Sequence, residues 1–64
     1  MDEWIAEAVG KMHINRITNN ELAAHLGYNP KYVSMVLNGK KTPKKAQEVF
    51  MRGIDEIIAE RTKT

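Results

Sequence analysis

The chain has no cysteine. That excludes disulfides and the thiolate zinc sites that hold many small domains together, and it fits a reducing compartment. Nor is there an apolar run near the ~20 residues that a membrane-spanning helix needs. The N-terminal stretch MDEWIAEAVGK is acidic and amphipathic, unlike a signal peptide. We expect a soluble, cytoplasmic protein. Its 64 residues allow one domain, spanning 1–64. At this size folding buries only about 60% of the unfolded surface, so helix packing or dimerisation must supply the stability.

The net charge is only +2, but it is unevenly placed. Residues 1–21 hold four acids and two bases; residues 48–64 hold four acids and three bases. Between them, residues 22–47 carry Lys31, Lys40, Lys41, Lys44 and Lys45 and no acid. A basic middle between weakly acidic ends is either a solvated loop or a face for a polyanion.

The chain reads as helices with short breaks. Trp4, Ile5, Ala8, Val9 and Met12 define one apolar face of a first helix, about Glu3 to Met12. Asp2 is its expected N-cap, and Asn15 its left-handed stop. Thr18-Asn19-Asn20-Glu21 is a capping box: Thr18 accepts from the Glu21 N–H and the Glu21 side chain reaches back. Ile17 and Leu22 have the spacing of a hydrophobic staple across it. The second helix then runs from Asn19 to Leu26, with Gly27 as stop and Leu22, Ala23 and Leu26 inward. Asn29 and Pro30 open a third helix as N-cap and first residue. Val33, Val36 and Leu37 face inward; Lys31, Ser34, Met35 and Asn38 fall on the opposite face. Asn38-Gly39 ends it. Thr42-Pro43 repeats the opening signal, and apolar spacing continues through Ile58 to about Arg61. Gly53 interrupts this run without a capping residue after it, so one long helix is expected, and two if Gly53 divides it.

A short helix, a tight turn and a helix with a polar outer face make a helix-turn-helix, at about 19–38. The segment TNNELAAHLGYNPKYVSMVLNGKKTP, Thr18 to Pro43, resembles the phage lambda-repressor and Cro-like (XRE-type) helix-turn-helix family. The resemblance rests on Thr18, Glu21-Leu22-Ala23, Leu26-Gly27, Tyr32-Val33-Ser34, Asn38-Gly39-Lys40 and Pro43. It implies an all-α fold of four or five helices and binding to double-stranded DNA as a dimer on pseudo-palindromic operators, with the third helix in the major groove. Asn29, Lys31, Ser34, Met35 and Asn38 are then the base-reading set. Lys31 suits guanine or phosphate, Asn29 or Asn38 suits adenine or backbone, and Met35 suits a thymine methyl. Thr18, Asn19, Tyr32, Lys40, Lys41, Lys44 and Lys45 are the expected phosphate contacts. The chain departs from the family in having Pro30 and Asn19 where many members have Gln, and Arg16 where a Gly usually precedes the second helix.

Other chemistry has little behind it. His13 and His25 lack ligand-spaced companions and read as surface residues. Ser34 has no His–acid pair for nucleophilic catalysis. No enzyme, cofactor, metal or small-molecule substrate is implied. The last helix has a broad apolar arc, with Met51, Ile54 and Ile58 along one edge. That edge is either a dimer surface or is covered by the first helix through Trp4 and Ile5. The function expected is a small Cro-like repressor of a bacterium or phage. The alternative is a protein-interaction module, such as an antitoxin or regulatory partner, that does not read DNA.

Overall fold

A computed structural model describes residues 3–63. Asp2, the expected first cap, lies outside them. All regular structure among the described residues is helical: α1 Glu3–Ile14, α2 Asn19–Leu26, α3 Pro30–Leu37 and α4 Ala46–Arg61. α2 packs on both α3 and α4, and α1 packs on α4. None of these helices is long and apolar enough to cross a membrane.

α1 outlasts its expected end at Met12 because Asn15 is not the left-handed residue. The Asn15 side chain instead donates to the Lys11 carbonyl at 2.8 Å. Arg16 takes the left-handed conformation, at φ 56°. Its N–H bonds the His13 carbonyl, and the Ile17 N–H returns to Met12 at 2.8 Å. This pairing satisfies carbonyls that the last turn would leave open. Gly27 (φ 77°) and Gly39 (φ 78°) close α2 and α3 in the same way. Glycine adopts that conformation without the steric cost of a Cβ; Arg16 does not.

The caps of α2 and α3 form as the side chains dictate. Thr18 Oγ1 accepts from the Glu21 N–H at 3.0 Å, and Asn29 Oδ1 from the Lys31 N–H at 2.8 Å. The reciprocal half of the Thr18 box is replaced, because the Glu21 carboxylate is held by Arg61 of α4. α4 does not start at Thr42-Pro43. The Ala46 N–H bonds the Pro43 carbonyl at 3.1 Å, making a turn, and the helix follows from Lys45 with no side-chain cap.

Gly53 does not divide α4; it marks a crossing. A Cβ there would lie 2.6 Å from Leu26 Cδ2 and 3.3 Å from Leu22 Cδ1. α2 thus rests on α4 where α4 has no side chain. Leu22, Val33, Val36, Phe50 and Ile54 form one core cluster and are almost fully buried, as is Ile5 of α1. Trp4 meets Phe50 edge-on at 6.1 Å, so α1 does lie over α4. Val9, expected in the core, is 45% exposed on the flank of α1.

Candidate nucleic-acid interface

The short connection Gly27–Asn29 brings α3 back against α2, with Val33, Val36 and Leu37 buried beneath it. That inward anchoring turns Lys31 and Asn38 to solvent and leaves Ser34 and Met35 half-buried along the outer face. Asn38 Nδ2 donates to Ser34 Oγ at 3.2 Å, so these two side chains act as one polar unit. Asn29 is exposed, but its side-chain oxygen is committed to the cap, which leaves its amide N–H2 for other partners.

Tyr32 sits at the edge of this face. Its ring meets Tyr28 edge-on at 5.1 Å, and Tyr28 in turn stands 6.1 Å from Phe50. The Lys41 ammonium lies 5.8 Å from the Tyr32 ring centre. Cation and quadrupole attract at that range, and the contact ties the loop after α3 to α3 itself. Lys40 and Lys41 are exposed beyond Gly39, and Lys44 and Lys45 border a shallow hollow at the start of α4 with Gln47, Glu48 and Met51.

Ion pairs divide the charges into two groups. Lys11 pairs with Asp55, Arg52 with Glu48 and Arg61 with Glu21, and His25 hydrogen-bonds Glu56 at 2.8 Å. All four involve α4, and three join it to α1 or α2. Among the described residues, none of Lys31, Lys40, Lys41, Lys44 and Lys45 is in an ion pair. The contacts that brace the helices draw on some charges of the two ends and leave the five central lysines without a carboxylate partner.

Thr18 and Asn19 are exposed at the start of α2. Asn19, Ser34 and Asn38 share an open groove of about 290 Å³ with Val9, Met12, His13, Ile17 and Leu37. The start of α2 and the far end of α3 therefore belong to one continuous surface. In addition to the residues expected from α2 and α3, α1 contributes His13 and Val9 to this surface. Their one signal was spacing: four residues apart, on the flank of the apolar face. On α4, Ile54 is completely buried in the single chain and is unavailable to a partner, while Met51 and Ile58 remain half-buried.

No family model, curated protein or solved structure matches the chain.

Proposed function

We propose that the chain is a lambda-repressor/Cro-like helix-turn-helix protein that binds double-stranded DNA sequence-specifically and acts as a small transcriptional regulator. One observation carries this reading. α3 turns Lys31, Ser34, Met35 and Asn38 outward on a chain whose five central lysines have no acidic partner among the described residues. In the mechanism, α3 enters the major groove. Lys31 donates to a guanine edge, Met35 packs on a thymine methyl, and the Ser34–Asn38 unit with the Asn29 amide reads the remaining edges. Thr18, Asn19, Tyr32, Lys40, Lys41, Lys44 and Lys45 hold phosphates and fix the register. Lys44 and Lys45 at the positive end of α4 support this assignment. Folding alone favours an acid there, whereas a phosphate would be drawn by lysine and helix end together.

The regulator works in the cytoplasm of a bacterial or phage-infected cell, where a bound dimer occludes a promoter. Met51 and Ile58 are the α4 side chains through which two copies would meet about a two-fold axis. A second reading, a protein-interaction module, draws on Ile14, which is 79% exposed at the end of α1.

Selection from a random double-stranded DNA library at near-physiological salt decides between them. Enrichment of a pseudo-palindrome supports the dimeric DNA reader, and its half-site spacing reports the dimer geometry. Absence of enrichment at any salt would favour the interaction module.

A further inference from the structure

The side chains of Val9 and His13 stand outside the buried core. Val9 follows the apolar pattern of α1 yet is 45% exposed, and His13 is exposed one turn later on the same flank. Both line the groove between α1 and α3. Its floor is apolar, with Met12, Ile17 and Leu37; its rim carries His13, Asn19, Ser34 and Asn38, each able to donate a hydrogen bond. Among the described residues no carboxylate lines the groove. An apolar floor under a rim of donors, without negative charge, complements a sugar–phosphate strand. The carbon face of deoxyribose suits the floor, and the phosphate oxygens suit His13 and Asn19 on the rim.

We propose that this groove seats one strand of the DNA backbone, with His13 contacting a phosphate and Val9 packing on the adjacent deoxyribose. The proposal rests on the DNA-binding reading and extends the interface from α2 and α3 onto α1. Asn19 at one side of the groove and the Ser34–Asn38 unit at the other place the strand beside the bases that α3 reads. The exposure of Val9, unfavourable for a free chain, is removed when the strand is seated.

The test uses the full chain and a mixed-sequence 20-base-pair duplex at low salt, where backbone contacts dominate binding. Observed by nuclear magnetic resonance, the Val9 methyl and His13 ring signals should shift together with the Asn19 side-chain amide, at the same duplex concentrations. His13→Glu should weaken binding to every sequence about tenfold, and His13→Lys should steepen the plot of log affinity against log salt by up to about 0.9. Both variants should stay folded, His13→Lys at the wild-type melting temperature and His13→Glu a few degrees below it, because an acid in the last turn of α1 opposes the helix dipole. The proposal is overturned if the duplex shifts Asn19 and the lysines of residues 40–45 but leaves Val9 and His13 unmoved, with His13→Glu binding like the wild type. It is also overturned if the groove signals respond to an acidic peptide and not to the duplex. If no signal responds to the duplex at low salt, the DNA-binding reading fails, and this proposal with it.

Discussion

Glu21 grips Arg61 with both carboxylate oxygens, at 2.5 and 2.7 Å from Nη2. The same guanidinium donates through Nη1 to the Asn15 carbonyl. The last turn of α4 is thereby tied to the first turn of α2 and to the bend before it. Arg61 suits this because a planar fork can satisfy two acceptors in fixed directions, which an ammonium cannot.

Replacing Arg61 should therefore cost more than one ordinary surface pair. Both side chains are nearly two-fifths exposed, so solvent screening keeps the charge coupling below ~1 kcal/mol. Arg61→Ala should lower unfolding free energy by about 1 kcal/mol once the lost hydrogen bond to Asn15 is included. A double-mutant cycle with Glu21→Gln in urea should give a coupling smaller than that total.

Two threonines that look alike in sequence should behave differently. Thr18 caps α2 through its hydroxyl, and Thr18→Ala should cost about 1 kcal/mol. Thr42 precedes a proline but stands outside α4, so Thr42→Ala should stay within about 0.5 kcal/mol. Equal losses in urea titrations would contradict the observed start of α4.

At Gly53, two effects compete. Alanine gains up to ~1 kcal/mol of helix propensity, but its Cβ would meet Leu26 Cδ2 at 2.6 Å and Leu26 Cγ at 3.2 Å. Overpacking of this kind costs typically ~1–3 kcal/mol, so Gly53→Ala should destabilise by about 1 kcal/mol. Leu26→Ala removes the obstructing atoms, and in that background Gly53→Ala should turn neutral or stabilising. A loss of the same size in both backgrounds would place the strain elsewhere.

Arg16 occupies a conformation that costs an L-residue roughly 1–2 kcal/mol. Arg16→Gly relieves it and gives part of the gain back as chain entropy in the unfolded state. The urea midpoint should rise by an amount equivalent to about 0.5–1 kcal/mol, with an unchanged slope.

Of the lysines, Lys44 and Lys31 should separate positioning from reading. Lys44→Ala should weaken binding to all duplexes alike and flatten the salt dependence by about 0.9 in slope. Lys31→Ala should relax selectivity at one base pair, worth about 1–3 kcal/mol on the preferred sequence. Measuring both variants over a salt series with two unrelated duplexes distinguishes the patterns.

Much of the helical order was legible because local chemistry sets it. Thr18, Asn29-Pro30, Gly27 and Gly39 each act within a few residues of the bond they make, so α2 and α3 could be bounded from spacing alone. The start of α4 was not legible, because Thr42-Pro43 has the residues of a cap and forms a turn instead. Gly53 was ambiguous for a different reason: its role depends on Leu26, 27 positions earlier in the chain. Long-range partners also decided Glu21, diverted to Arg61, and Ile54, drawn into the core and out of the edge it was read on. At the candidate interface the outer face of α3 follows from helical period. The groove that joins it to Val9 and His13 could appear only once α1 was placed.

Finally, no ion pair among the described residues involves α3. It is held by the buried side chains of Val33, Val36 and Leu37 and by its two ends. Lys31 and Met35 can therefore be exchanged without disturbing the charged ties that brace the other three helices. The scaffold tolerates rewriting there: a library varied at these two positions should retain folding across most members while differing in what they bind.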